Sequence, residues 1–282
     1  MQPSTGLTAQ DYNVTEYCAE FVNCLTNLMF LYLGFRGIRD CIRYQHPSVF
    51  IVAFIGYIVV GLGSIAFHMT LKYSMQLADE LPMIYATCII GHATFSYKTS
   101  RLVSALVGAG LTALAATITV VYYITKDPVF HQLSYGALTV GIVLQSMYTM
   151  EYQLRPVLKA RVPDTANAIM DKIWRMCLSG IGLFLVGFVL WNIDNVYCGH
   201  LRSWRHAVLL PWSVVLEGHG WWHIFTGLGA YYFIVWRMWL QRCLDGTEEF
   251  RLKWDSAMTT IPRVVPVTQD RDIETLSKRR RD

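Results

Sequence analysis

Seven stretches of the chain are apolar almost without interruption: 18–36, 48–68, 78–97, 102–124, 130–150, 173–191 and 217–240. Each approaches the ~20 residues a helix needs to cross the hydrocarbon core of a bilayer. The apolar residues fall in these blocks instead of being spread through amphipathic segments, which predicts helices embedded in lipid. The predicted fold is therefore all-α: a polytopic, seven-transmembrane-helix bundle over 18–243, after a polar segment 1–17. The tail 244–282 is charged, lacks apolar periodicity and is expected to be disordered.

Composition agrees, since 54% of the residues are hydrophobic and 16% charged, against roughly 25% charged in a soluble domain. The net charge of +4 does not point to nucleic acid, because the basic residues sit between apolar blocks and in the tail. Their distribution sets the orientation instead. With the N-terminus lumenal, nine Lys and Arg residues fall in cytosolic connections and four in lumenal ones, and the basic C-terminus falls in the cytosol. The polar start, with Asp11 and Glu16, does not read as a cleavable signal peptide. Seven cysteines without a Cys-x-x-Cys pair exclude a zinc knuckle or a thioredoxin-like motif.

Ionisable groups inside spans are costly and are functional candidates by default. Four places carry them: Glu20, then Ser64 with His68, then Asp79 with Glu80, then Glu217 with His219 and His223. Spans one, three and seven begin on the lumenal side and span two ends there, so all four groups share one depth. His219 and His223 are four apart and project from one helical face. With His68 they make three imidazoles, which with a water form the open set of a catalytic zinc. Such an ion would bring a water's pKa toward neutrality, Asp79 could take its proton, and Ser64 could donate to a developing oxyanion. The plainer readings are a back-bond for Ser64 and a helix N-cap for Asp79; jointly with three histidines, the metal site is favoured.

The remaining histidines read as solvated or packing groups: His46, His200 and His206 in loops, His92 mid-span and His131 after KDPVF. Trp221 and Trp222 read either as an interfacial belt or as the lining of a lipid-chain pocket. Asp194 reads either as a helix cap or as a carboxylate supporting a histidine.

At these residues the chain resembles the alkaline ceramidase family, seven-span zinc amidases that hydrolyse ceramides. The segments are AEFVNCLTNL, GLGSIAFHMTLKYSMQLADELPMIY, KDPVFHQLSYG, GFVLWNIDNVYC and HGWWHIFTGLGAY, spread over residues 19 to 232. The resemblance implies zinc on His68, His219 and His223, proton transfer by Asp79, oxyanion stabilisation by Ser64, and ceramide as the lipid substrate. It also implies calcium at Asp11 and Glu20. Here, however, the family's upstream aspartate, tryptophan and glutamate are absent, so weaker calcium dependence is expected. The usual N-terminal cysteine is missing too, which leaves Cys18 as the nearest candidate partner for Cys198. The expected setting is the endoplasmic reticulum and/or Golgi membrane, with Asn13-Val14-Thr15 as a lumenal glycosylation sequon. A seven-helix receptor of the progestin and adiponectin type and a proton-coupled transporter are the rival readings.

Overall fold

The computed structural model describes residues 17–208, 211–246, 249–254 and 260–267. In chain order these form α1 (Phe21–Arg43), α2 (Ser48–Thr70), α3 (Tyr73–Phe95), α4 (Arg101–Thr125) and α5 (Pro128–Tyr148). A π-helical turn (Thr149–Leu154) then leads into α6 (Arg155–Arg161), α7 (Pro163–Val196) and α8 (Cys198–Val208). A 3₁₀ turn (Trp212–Leu216) precedes α9 (Gly218–Asp245), and β1 (Phe250–Lys253) pairs antiparallel with β2 (Arg263–Pro266). Among the described residues the protein is thus all-α apart from one hairpin. Among the described residues, four helices, α1, α2, α4 and α7, are long and apolar enough to cross a membrane by length and composition.

Local chemistry sets several of the helix ends. Asp127 accepts the amide hydrogen of Val129 at 2.9 Å, with Pro128 in the first turn, and Ser100 accepts that of Val103. Leu71 and Lys126 turn out of α2 and α4 in the left-handed region, and Gly246 does so after α9. The seven long helices alternate in direction. α9 is the most enclosed, packing along α7, α1 and α2, and its second half contributes Tyr231, Tyr232, Trp236 and Leu240 to the main core. The many exposed Leu, Val and Phe side chains of α4, α5 and α7 face outward, as a lipid-contacting surface requires.

Several boundaries differ from the sequence expectation. The stretch around Arg202 and Arg205, expected as loop, is the amphipathic helix α8. The tail expected to be disordered from residue 244 is ordered over 249–254 and 260–267. Leu252, Trp254, Val264 and Val265 are buried there, Trp254 Nε1 donates to Tyr232 Oη at 3.0 Å, and the Arg263 guanidinium grips both Asp40 oxygens at 2.6 Å. The strands are only four residues long, so they leave almost no periodic signal. His46, expected as solvated or packing, is buried between this hairpin and α9. Burial pushes its pKa down to about 4; the neutral ring faces the Val264 carbonyl through Nε2 and takes the Arg242 Nε hydrogen on Nδ1.

α3 begins at Tyr73, so Asp79 and Glu80 lie in its second turn and Asp79 is not the N-cap. Pro82, inside α3, has no N–H to offer the Ala78 carbonyl. Opposite that carbonyl α2 presents Gly63, where an added Cβ would stand 1.8 Å from the Ala78 oxygen. The missing side chain lets α2 and α3 touch backbone to backbone, which brings Asp79 beside Ser64. Gly63→Ala must drive the helices apart, and the expected result is a stability loss of about 1–3 kcal/mol with a larger fractional loss of catalysis. Thermal unfolding and turnover of the detergent-solubilised variant check this; unchanged values would show that the close approach is unimportant.

Candidate metal centre

Three helix ends converge at the end of the bundle opposite the hairpin. α2 delivers His68 in its last turn, and α9 delivers His219 and His223 from its first two turns. One nitrogen from each ring lies within 4.8 Å of the others, and the ring centroids are 4.8–4.9 Å apart, nearly an equilateral triangle. His68 and His223 are buried and His219 is half-buried.

Their outer hydrogen bonds determine which nitrogens are free. His68 Nδ1 lies 2.5 Å from the Glu20 carboxylate, an acceptor only, so Nδ1 carries the hydrogen. Nε2 of the same ring is buried and, among the described residues, has no hydrogen-bond partner. A buried lone pair facing two other imidazoles is costly unless something fills the space between them. His223 Nδ1 lies 3.1 Å from Thr26 Oγ1, whose own hydrogen goes to the Asn23 carbonyl at 3.0 Å. Thr26 can therefore only accept from Nδ1–H; Asn27 Nδ2 also lies 3.2 Å from this nitrogen, but its two hydrogens go to the Asn23 carbonyl and to Ser64 Oγ, each at 2.9 Å, so Nε2 of His223 is left free as well. This carboxylate–imidazole and hydroxyl–imidazole arrangement is the one that orients histidine for a cation. The donor set and its enclosure fit a metal ion.

Around the triad, α1 supplies the supports. Asn23 Nδ2 donates to Glu20 at 3.0 Å, and the amides of Ala19 and Glu20 donate to the Met69 and His68 carbonyls at 3.2 and 3.0 Å. The segment leading into α1 thereby closes the C-terminal end of α2, whose last carbonyls would otherwise lack partners. Asn27, fully buried, donates from Nδ2 to Ser64 Oγ at 2.9 Å. Ser64 in turn lies beside Asp79 across the Gly63 contact. Gly220 lets α9 sit close to α1, with Asn23 and Thr26 about 3.5 Å from where its Cβ would be.

The structure thus brings together Glu20, Ser64, His68, Asp79, His219 and His223. Glu80 turns away: its carboxylate takes the Tyr122 hydroxyl hydrogen and its carbonyl lies 3.0 Å from His131 Nε2, a buried histidine that holds α5 against α3. Glu217 pairs with Arg205 of α8. Asp194 lies against the start of α9, its side chain beside Gly218. His92 lies 3.2 Å from the Ser104 carbonyl, a packing role, and His200 is exposed on α8. Asp11 lies outside the described residues. Trp222 stacks among Phe184, Phe188 and Trp191 of α7, while Trp221 lines an apolar groove of about 360 Å³ with Leu190, Ile193, Leu201 and Phe225 that reaches Gly218. Thr26 and Asn27 were not singled out from the sequence. Their signal was the spacing of Glu20, Asn23 and Asn27, three and then four residues apart on one face of α1.

Comparison with known proteins bears directly on this centre. The family model described as Ceramidase matches residues 9–265, a span that contains every residue of the centre. The chain belongs to the ceramidase family. It is 38% identical to alkaline ceramidase 3 of Mus musculus over 227 residues, which cover 80% of this chain and 79% of the mouse protein. An alkaline ceramidase of Saccharomyces cerevisiae is 33% identical over 240 residues, 80% of this chain and 72% of the yeast protein. An alkaline ceramidase of Arabidopsis thaliana is 23% identical over 221 residues.

Within this ceramidase-family chain, the Glu20–His68 contact makes a separate prediction. Glu20→Gln keeps the shape but removes the charge that favours the Nδ1–H tautomer, so metal affinity should fall about 10–100-fold. Competition for the metal by a chromogenic chelator measures it; equal affinity in variant and wild type would assign Glu20 no role in orienting His68.

Proposed function

We propose that this protein is an integral membrane ceramidase that hydrolyses the amide bond of ceramides to a sphingoid base and a free fatty acid. The observation that carries the reading is the convergence of His68, His219 and His223 with Ser64 and Asp79 at one end of the bundle. The ion is zinc, because three neutral imidazoles in an enclosed triangle suit it better than the hard, oxygen-seeking cations. When bound, it supplies Lewis acidity toward the amide carbonyl and makes a water acidic enough to be deprotonated near neutral pH.

The chain's own residues do the rest. Asp79 accepts the proton of the attacking water and afterwards gives it to the departing sphingoid nitrogen, as a single carboxylate can in acid–base catalysis. Asn27 donates into a lone pair of Ser64 Oγ, so the serine hydrogen remains available to donate, to Asp79 at rest and to the carbonyl oxygen as negative charge grows on it. The apolar groove beside Gly218 offers a place for one alkyl chain of the lipid without exposing it to water.

All seven long helices cross the membrane in this reading, and the centre faces the lumen of the endoplasmic reticulum or Golgi. Lys72, Lys126, Arg202 and Arg205 lie in the connections at the centre's end, and the nine other loop-associated basic residues lie toward the hairpin, which supports a cytosolic hairpin. A reporter fused after residue 282 should be cytosolic and one before Met1 lumenal; both on one side would mean a miscounted span.

The activity is tested by metal analysis of purified protein with turnover of a panel of ceramides, including phytoceramide and dihydroceramide. Zinc at one equivalent with release of fatty acid is expected, and absence of amide cleavage on every member would overturn the assignment. Calcium should stimulate weakly, since Glu20 is already committed to His68 and hard cations want 6–8 oxygen ligands.

A further inference from the structure

At the entrance to α1, the sulfurs of Cys18 and Cys24 lie 3.2 Å apart. Cys18 is buried just before the helix and Cys24 is half-buried in its first turns. Among the described residues, this is the one pair of cysteines whose sulfurs meet. Cys41, Cys88, Cys177 and Cys243 are buried in separate places in the bundle, and Cys198 Sγ takes a hydrogen from Arg202 of its own helix at 3.9 Å. Cys18 therefore faces Cys24, where Cys198 was its candidate partner from the sequence.

We infer that Cys18 and Cys24 form an intrachain disulfide. The 3.2 Å separation leaves a shift of roughly 1 Å to reach the ~2.0 Å of an S–S bond. Both thiols lose a proton and together two electrons, and the incoming disulfide of a lumenal oxidoreductase or of oxidised glutathione is reduced to two thiols by exchange. The inference rests on a lumenal N-terminus, because only an oxidising compartment sustains such a bond, and the reporter fusions test that placement independently.

The bond would have a consequence for the metal centre. Glu20 lies inside the closed loop, and its neighbours are the contacts that tie this segment to α2: Ala19 N to the Met69 carbonyl, Glu20 N to the His68 carbonyl, and Glu20 to His68 Nδ1. A bridge from Cys18 to Cys24 holds the segment on both sides of Glu20, and so holds Glu20 against His68. Glu20 is a positioning residue in this scheme, and the disulfide is its clamp.

The test is a two-label cysteine map of full-length protein taken from membranes without reductant. Free thiols are blocked with N-ethylmaleimide under denaturing conditions, the sample is reduced, and new thiols are alkylated with iodoacetamide before peptide mapping. Cys18 and Cys24 should carry the second label, and before reduction cleavage after Glu20 should leave the two flanking peptides joined. The first label on both residues, or a join to Cys198, would overturn the bridge. This map needs neither activity nor bound metal, so it stands or fails apart from the proposed reaction. For the clamp, chelator-driven loss of the metal should be several-fold faster after reduction of wild type, and equally fast with or without reductant in the Cys18→Ser/Cys24→Ser double variant. Identical rates in all four samples would show that the bond does not act on the centre.

Discussion

Alanine in place of His68, His219 or His223 is expected to remove the bound metal and to bring amide hydrolysis to background in each variant separately. The three rings form a near-equilateral set, and two of them have their Nδ1 atoms engaged by Glu20 and Thr26. No fourth imidazole or thiol stands by to replace a missing donor, among the described residues. Two donors cannot retain an ion that needs three protein ligands and an open position. The loss should therefore exceed the 10–100-fold that an outer partner such as Glu20 costs. Metal content by mass spectrometry, with turnover on the same sample, gives the result. Stoichiometric metal and full turnover in two of the three variants would mean that the histidines are packing groups and that the chemistry lies elsewhere.

The centre was legible in the sequence because membranes make charge conspicuous. Glu20, His68, Asp79 and the His219–His223 pair each interrupt an apolar block, and helical alternation places all of them at one depth before any coordinates exist. The neutral supports were not legible for the complementary reason. Asn23, Thr26 and Asn27 are unremarkable in an α1 that carries other polar residues, and only the fold shows that this face meets Ser64 and His223. Gly63 and Pro82 each have ordinary readings alone; their meaning lies in the pairing of a vacant side chain on α2 with a carbonyl on α3 to which Pro82 has no N–H to offer. The hairpin was missed because its burial depends on distant partners, Tyr232 and Asp40, which four-residue strands do not announce.

Asp79→Asn and Ser64→Ala should both leave the metal in place while lowering kcat, and their combination separates two roles for the serine. Removing the carboxylate takes away the proton acceptor, which costs typically 10²–10⁴-fold. Removing the hydroxyl takes away an oxyanion donor, worth about 10²–10³-fold in comparable sites. Ser64 also lies beside Asp79, so part of its effect could pass through the carboxylate. If Ser64 acts on the substrate oxygen, the double variant falls well below either single one. If Ser64 serves only to orient Asp79, then once the carboxylate is gone nothing more is lost, and the double variant matches Asp79→Asn. Asn27→Leu adds the third vertex: it deletes the 2.9 Å donor to Ser64 Oγ without touching Asp79. It should reproduce part of the Ser64→Ala loss in a wild-type background and none of it in the Ser64→Ala background. An Asn27→Leu loss that persists in full without the serine would show that Asn27 supports His223 and not the hydroxyl.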